Sequence, residues 1–368
     1  MENLTYIYQK GRLERLKNKE HSSKEFFYGF FELKNKFSKS QIIEFHDDFR
    51  NNSSFFINSF LRKLSGLPFF SEHINSKKNK KIIKTSDVII CTNQRVGYSI
   101  IFKILFSKNI TTVVFIMGLY NQKIKHPLKK FFRNFFIYFF TKTFDKLIFL
   151  SLGEYEYAKN NLSKFNQKMF FLPFSTDEEF WSTKNEKKVH SNPKQILFIG
   201  NDGKRDYKFI IDLARELKDY NFVLITKKIN PEHELPTNIK LLDGKWDDMK
   251  ISDSDIKTYY EESHVTLIPL IQSLQPSGQS VALQSMSMGT PVIITKTDGF
   301  WEPDKFKEDK HIIFAEKNDI ITWKRKIDYL LSNEDFYFKL SREGRKLILN
   351  NNTLGIFNKR LEEIIFNS

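Results

Sequence analysis

Two glycine-bearing segments in the second half of the chain carry side chains suited to binding a diphosphate. In the first, an apolar run over residues 196–199 ends at Gly200 and leads into a short polar loop. This loop contains Asn201, Gly203, Lys204 and Arg205. A glycine lets the backbone approach a ligand closely, and cations beside a helix start favour phosphate oxygens. Taken alone, the segment fits an ordinary strand-to-helix turn with solvated cations equally well.

The second segment, residues 265–295, predicts a strand, a polar loop and a helix. Gly278, Gln279 and Ser280 stand at the predicted helix start, where unpaired N–H groups attract phosphate oxygens. Gln284 follows Ser280 by one helical turn and could hydrogen-bond ribose hydroxyls. The alternative is a capped amphipathic helix whose apolar side chains belong to the core.

The elements that position these segments alternate between short apolar runs and helical patterns, which predicts parallel sheets. The fold class is predicted to be α/β, with two Rossmann-like doubly wound domains facing each other across a cleft. We predict an N-terminal domain over residues 1–174, a linker over 175–194 and a C-terminal domain over 195–368, whose last helix could cross back. The predicted strands cover residues 5–8, 41–45, 87–91, 112–117, 146–150, 169–172, 196–199, 222–225, 239–242, 265–270 and 291–295.

The two segments, in this order, resemble the donor domain of GT-B glycosyltransferases, in particular glycosyltransferase family 4 (group 1). The resemblance spans residues 145–350 and includes residues 172–181 and 283–291, the latter ending in Gly-Thr-Pro. It implies a nucleotide-sugar donor domain in which Lys204 and Arg205 stabilise the leaving diphosphate. The implied donor-binding residues are Gly200, Asn201, Gly203, Asp243, Gly278, Gln279, Ser280 and Gln284.

The same resemblance implies retention of configuration, no metal and no cofactor, with a UDP- or GDP-linked sugar as donor substrate. Two departures from the family pattern stand out. Its pair of glutamates falls on Pro276 and Gln284, and its histidine after the central N-domain strand is replaced by residues 118–120. Loss of the first glutamate, near Pro276, affects recognition of the transferred sugar, whereas Gln284 in place of the second keeps the capacity to hydrogen-bond a ribose.

The positive charge of the chain is concentrated in its first half. The sequence has 59 Lys+Arg against 44 Asp+Glu, a net charge of +15, and residues 51–150 hold 17 basic and 3 acidic side chains. This window includes residues 123–146, where cations alternate with aromatics. A broad aromatic face with a basic rim suits a lipid interface, although a buried core helix is the alternative. The predicted membrane-docking residues are Lys129, Lys130, Phe132, Arg133 and Phe136.

Loops after the predicted N-domain strands supply the candidate acceptor contacts. These are Gly11, Arg12, His46, Asn93, Arg95 and Tyr120. We therefore predict a hexosyltransferase that acts on a membrane-associated lipid, glycolipid or cell-envelope polysaccharide. Its expected partners are the nucleotide sugar, the acceptor and an anionic membrane surface, without nucleic acid.

The single Cys91 excludes an intrachain disulfide and a cysteine-rich zinc site, and no stretch reads as a signal peptide or membrane span. We expect a cytoplasmic protein associated peripherally with the inner face of the membrane. Three alternatives remain: an epimerase-like GT-B enzyme, a non-catalytic GT-B relative, and a basic single-strand nucleic-acid binder.

Overall fold

The computed structural model describes residues 2–18, 21–46, 54–105, 109–120, 124–183, 193–232, 234–245 and 250–367. The chain forms two compact units, and each unit takes segments from both ends of the sequence. Unit 1 comprises Met1–Leu16, Phe27–Leu172 and Asn358–Ser368, and unit 2 comprises Lys17–Phe26 and Pro173–Phe357. No sequence pattern indicates that residues 17–26 belong with the second unit.

Unit 1 is built on a sheet of parallel strands in the order β2-β1-β3-β4-β5-β6. Its strands are β1 (Asn3–Tyr8), β2 (Lys39–Glu44), β3 (Val88–Cys91), β4 (Thr111–Ile116), β5 (Lys146–Phe149) and β6 (Met169–Phe171). The central strands β3 and β5 are buried along their whole length, as expected for a parallel sheet covered on both faces.

Unit 1 contains both side-chain-capped and uncapped helices. Its helices are α1 (Arg12–Lys17), α2 (Phe30–Leu33), α3 (Ser54–Ser65), α4 (Lys77–Lys84), α5 (Gln94–Ile104), α6 (Pro127–Thr143) and α7 (Leu152–Asn161). Ser76, Asn93 and Ser151 each accept a hydrogen bond from a backbone N–H in the first turn of the following helix. Cap residues of this kind fix where α4, α5 and α7 begin.

Unit 2 contains the second parallel sheet, in the order β12-β11-β10-β7-β8-β9. Its strands are β7 (Gln195–Ile199), β8 (Asn221–Ile225), β9 (Ile239–Leu242), β10 (Val265–Ile268), β11 (Val292–Thr295) and β12 (Ile313–Ala315). Its helices are α8 (Tyr207–Glu216), α9 (Asp253–Glu262), α10 (Gln279–Ser287), α11 (Ile320–Ser332) and α12 (Glu334–Asn351), and α13 (Leu354–Phe366) continues into unit 1. The predicted α/β class with two Rossmann-like sheets is confirmed.

The predicted strands all overlap the observed ones. Helix α5 begins at Gln94 because Asn93 caps it. Gly97, a poor helix former, lies in its first turn, where a Cβ would lie 2.9 Å from the Phe140 ring. Close packing against α6 explains this glycine. No helix among the described residues is long and apolar enough to cross a membrane.

Candidate functional site

Arg205 lies at the carboxyl edge of the unit 2 sheet, between the two glycine-bearing segments. A Cβ on Gly200 would collide with the Arg205 side chain, and a Cβ on Gly278 would lie 3.3 Å from Arg205 Nη1. The two segments are also joined through the backbone, because Asp206 N donates to Pro269 O at 3.0 Å and Ile271 N donates to Lys204 O at 2.8 Å. The two segments therefore lie next to each other within unit 2.

The guanidinium of Arg205 is almost fully enclosed, with 4% of the residue exposed. Its Nε donates to Ile199 O at 3.3 Å, and its Nη1 lies 3.1 Å from Asp202 Oδ2 without hydrogen-bond geometry. A buried guanidinium nitrogen without a hydrogen-bond partner is costly to maintain. This nitrogen is therefore well placed to donate to an anion between the two loops.

The start of α10 supplies a second feature that suits an anion. Gly278 adopts a left-handed conformation with φ 82°, and no side chain caps the helix. A Cβ on Gly278 would lie 2.6 Å from Ile268 Cγ2, so only glycine fits. The hydroxyl of the preceding Ser277 is buried without a hydrogen-bond partner. Uncapped N–H groups at the positive end of a helix, next to Arg205, form a site for phosphate oxygens.

Of the remaining predicted residues of the first loop, Asn201 holds neighbouring loops together, whereas Gly203 and Lys204 are at least partly exposed to solvent. Asn201 donates to Gly244 O at 2.6 Å and accepts from Lys227 N at 2.8 Å, so it ties together the loops after β7, β8 and β9. Its amide oxygen and nitrogen bind backbone groups, and a direct contact of Asn201 with the donor stays a prediction. Gly203 is exposed with open space around its Cα, and Lys204 is half-buried.

Two further predicted donor-binding residues, Asp243 and Ser280, lie at or near the carboxyl edge of the unit 2 sheet, where Arg205 also lies. Asp243 follows β9 and is exposed, with its carboxylate 2.8 Å from Lys250 Nζ. Hydrogen bonding to Lys250 lowers the pKa of Asp243, so this group is ionised at neutral pH. Ser280 is half-buried in the first turn of α10, and Gln279 before it is buried.

Part of the chain matches a known protein family. The family described as glycosyl transferases group 1 matches residues 179–347. The matched range contains Gly200, Arg205, Gly278 and the whole of α10, so the site described above lies inside it. A search among curated proteins finds no significant sequence match.

Solved structures resemble the chain over its full length. Sucrose-phosphate synthase from Thermosynechococcus elongatus has a TM-score of 0.72 at 12% identity, covering 99% of this chain and 98% of that one. Anabaena Alr3699/HepE in complex with UDP-glucose has a TM-score of 0.70 at 11% identity, covering 100% of both chains. A glycosyltransferase from Rickettsia africae ESF-5 has a TM-score of 0.68 at 16% identity, covering 100% and 99%. The protein therefore has the GT-B fold.

The Gln284 side chain does not face an open surface. The residue is 3% exposed, its Nε2 donates to Glu25 Oε1 at 2.8 Å, and its Oε1 accepts from the Tyr260 hydroxyl at 3.2 Å. Both ends of the amide are thus paired inside unit 2. The predicted contact of Gln284 with a ribose therefore stays a prediction, and it would require one of these two hydrogen bonds to rearrange.

Glu25 is a buried carboxylate that sequence reasoning missed. Its Oε1 also accepts from Trp181 Nε1 at 2.7 Å, whereas its Oε2 is buried without a hydrogen-bond partner. Burial, followed by the negative charge of Asp253, raises the pKa of Glu25 to about 7. Because Glu25 comes from a short helical turn near the start of the chain, no local pattern connects it with α10.

The candidate acceptor residues lie in unit 1, mostly after its strands. Gly11 has φ 101° and precedes α1, where the Glu44 carboxylate accepts hydrogen bonds from the Arg12 and Leu13 N–H groups. His46 N donates to His73 O at 3.2 Å, the ring Nδ1 of His73 donates to His46 O at 2.7 Å, and Asn93 caps α5. These contacts give Glu44, His46 and Asn93 structural tasks at the sheet edge.

Tyr120 is held in the core of unit 1. Its ring packs against Phe149 and Tyr157, and its hydroxyl is buried. The preceding loop is fixed by Glu154, whose Oε2 accepts from Gly118 N at 2.7 Å and whose Oε1 accepts from Tyr120 N at 3.0 Å. Burial raises the pKa of Glu154 to about 7. The predicted acceptor role of Tyr120 is therefore not supported by its position.

The predicted docking residues of α6 do not share one face of the helix. Arg133 is buried and donates to Leu119 O at 2.6 Å and to Gly66 O at 3.2 Å, and Phe136 packs against Phe69. Phe132 is half-buried, as is Lys129, whereas Lys130 is exposed. The exposed apolar residues of α6 are Leu128, Phe131, Phe135 and Tyr138. The aromatic helix thus combines a core face with a separate outward face.

Proposed function

We propose that this protein is a glycosyltransferase that transfers a sugar from a nucleotide-diphosphate sugar to a membrane-associated lipid or glycan acceptor, with retention and without a metal. The observation that carries the proposal is the enclosed Arg205 guanidinium beside the uncapped start of α10. Negative charge develops on the diphosphate as the glycosidic bond breaks. Fixed donors aimed at developing charge commonly provide the largest share of catalysis.

In this proposal the residues of unit 2 divide the work. Arg205 Nη1 and the first amides of α10 hold the diphosphate. Lys204, which is half-buried in the same loop, adds a positive charge. Gly203 leaves space for the donor to approach the backbone. Asn201 keeps three loops in place through Gly244 O and Lys227 N. Since a structurally similar protein was solved with UDP-glucose, a UDP-linked sugar is the first donor to test.

A panel of nucleotide sugars tests this function. We expect one UDP- or GDP-linked sugar to raise the melting temperature by several degrees, whereas single-stranded RNA does not, because a ligand bound only by the folded state stabilises it. Turnover of that donor with membrane extracts, in the presence of a chelator, then tests transfer and metal independence. Stabilisation by RNA alone would favour a nucleic-acid binder, and conversion of the donor without transfer would favour an epimerase-like enzyme.

The membrane part of the proposal rests on an apolar surface of unit 1, which we call the docking face. It consists of the exposed residues Phe56, Ile57 and Phe60 of α3 and Leu128, Phe131, Phe135 and Tyr138 of α6. The two helices pack against each other, and Phe56 and Phe131 are 76% and 64% exposed. Exposed lysines at 63, 125, 130 and 142 accompany these aromatics. An apolar face with a basic rim fits the interface of an anionic membrane.

Replacing Phe131 and Phe135 together with serine is expected to weaken binding to anionic vesicles by about 10-fold or more, since each buried aromatic contributes roughly 1.5–3 kcal/mol. Both side chains are exposed, so the melting temperature should stay unchanged. Vesicle flotation at two salt concentrations measures the effect. The matched control is Phe338→Ser, which removes an exposed phenylalanine from α12 of unit 2. Equal flotation of the double variant and the wild type would rule out the docking face.

A further inference from the structure

Two arginine side chains in unit 1 share one aromatic ring. The guanidinium carbon of Arg95 lies 3.9 Å from the centroid of the Phe70 ring, and that of Arg62 lies 4.5 Å from the same centroid. The two guanidinium carbons are therefore within about 8 Å of each other. Stacking holds a guanidinium in a fixed plane, which prepares it for binding a planar or tetrahedral oxyanion.

Only one of these two charges is neutralised by its described neighbours. Glu72, which is buried, lies 2.8 Å from Arg62 Nη1 and also accepts from Asn58 Nδ2. This carboxylate thus has partners at both oxygens. Arg95 has no carboxylate within ion-pair distance among the residues that the structure describes, and its buried Nε lacks a hydrogen-bond partner. Unit 1 therefore carries a surplus guanidinium at this place.

The surroundings of Arg95 make a second positive contribution. Arg95 is the second residue of α5, at the carboxyl edge of the unit 1 sheet, where the positive end of the helix dipole lies. Gln94 fixes this helix start, because its side chain donates to Met117 O at 2.9 Å and accepts from Met117 N at 3.1 Å. Arg62 belongs to α3, the helix that also carries Phe56, Ile57 and Phe60 of the docking face. A ligand at this pair therefore lies close to the docking face.

We propose that Arg95 and Arg62, held by Phe70, form a subsite for the phosphate group of a lipid-linked acceptor. Guanidinium groups bind phosphate through paired N–H donors. Arg95 offers such donors, since its Nε has no hydrogen-bond partner among the described residues. The lipid as the source of the phosphate rests on the membrane-associated acceptor proposed above. A phosphate on a soluble acceptor would have the same chemistry, so the experiment separates the two sources.

Flotation with two kinds of vesicle tests the subsite. Phosphatidylcholine vesicles containing phosphatidic acid present a phosphomonoester, whereas those containing phosphatidylglycerol do not, and their surface charge is matched by zeta potential. The wild type is expected to bind the phosphatidic acid vesicles about 10-fold more tightly, as a charge-assisted hydrogen-bonded pair allows. Arg95→Gln should remove this preference while leaving binding to phosphatidylglycerol vesicles nearly unchanged.

The matched control is Lys84→Gln, which removes one positive charge from an exposed site on α4 and should keep the preference. The folding of both variants is checked by melting temperature. No preference in the wild type, or an equal loss in both variants, would overturn the lipid-phosphate subsite. Stabilisation by inorganic pyrophosphate that Arg95→Gln abolishes, without a lipid preference, would keep the phosphate site and overturn its lipid source. Because donor-induced stabilisation is measured separately, a failed donor panel leaves this result interpretable.

Discussion

Arg205→Ala is expected to lower the rate of sugar transfer by about 100-fold or more, the range seen when one fixed donor to a developing charge is removed. Arg205 is 4% exposed, and its guanidinium lies beside both Gly200 and Gly278. Lys204→Ala should lower the transfer rate by less, about 10-fold. Lys204 is only half-buried, so water can take over part of its stabilisation of the diphosphate. The measurement is kcat/KM with the donor that the panel identifies.

The control for this prediction is Arg215→Ala, an identical change in the same unit. Arg215 is exposed on α8, where its Nη1 pairs with Asp212 at 2.6 Å. It should retain full transfer activity and near-normal stability, as expected for an exposed ion pair. Wild-type kcat/KM in a folded Arg205→Ala protein would remove Arg205 from the proposed mechanism.

Glu25→Gln is expected to stabilise unit 2 at pH 8 by about 1–3 kcal/mol. Burial raises the pKa of Glu25 from 4.5 to about 7, so the folded state holds a proton that the unfolded chain releases. In the wild type, the stabilisation that this proton gives the folded state is complete below pH 4.5 and is lost as the pH rises to about 7. The resulting difference in the free energy of unfolding is on the order of 3 kcal/mol. A glutamine oxygen can still accept from Trp181 and Gln284 without carrying charge.

Tryptophan fluorescence during denaturant unfolding measures this effect. All four tryptophans fall within residues 173–357, so the signal reports on unit 2. The wild type should lose stability between pH 5 and 7, whereas Glu25→Gln should be nearly level over the same interval. If the variant follows the wild-type pH profile, Glu25 does not titrate in this window.

Glu154→Gln is the matched comparison in unit 1, where a carboxylate equally buried and with a pKa of about 7 has different partners. Both of its oxygens accept backbone N–H groups of residues 118–120. An amide can accept at one end only, so one N–H loses its acceptor at a cost of about 1–3 kcal/mol. We expect hydrogen exchange in the peptide covering residues 109–120 to rise by about 10-fold or more. Unchanged protection there would contradict this account of the loop.

Much of the donor side could be predicted from sequence because its signals are local. Gly200, Arg205 and Gly278 each follow a buried strand, and parallel strands bring their carboxyl ends to one edge. The sequence pattern places Gly278 just before a predicted helix. The structure explains why this residue is a glycine: its φ is left-handed, and a Cβ would lie 2.6 Å from Ile268 Cγ2. The GT-B fold itself followed from strand alternation and from the resemblance of these segments to a known family.

The features that sequence analysis missed depend on contacts between distant residues. Glu25 and Gln284 are 259 positions apart, and neither stands in a pattern that predicts the other. On α6, helical periodicity identified an aromatic helix but not which aromatic face points outward, because phenylalanines occur on both sides. The hydrogen bonds of Arg133 to Leu119 O and Gly66 O decide that question, and they involve loops that no periodicity describes.

The exchange of segments between the two units has a consequence for synthesis on the ribosome. Unit 1 contains the first strands of the chain, yet Asn358–Ser368 also belong to it, and Arg360 donates to Phe171 O at the end of β6. Unit 2 needs Lys17–Phe26, which leave the ribosome early, and residues 173–357, which follow. Because translation proceeds from the amino end, the unit that begins first is completed last. Until Asn358–Ser368 have been made, β6 therefore lacks its Arg360 contact and unit 1 stays incomplete.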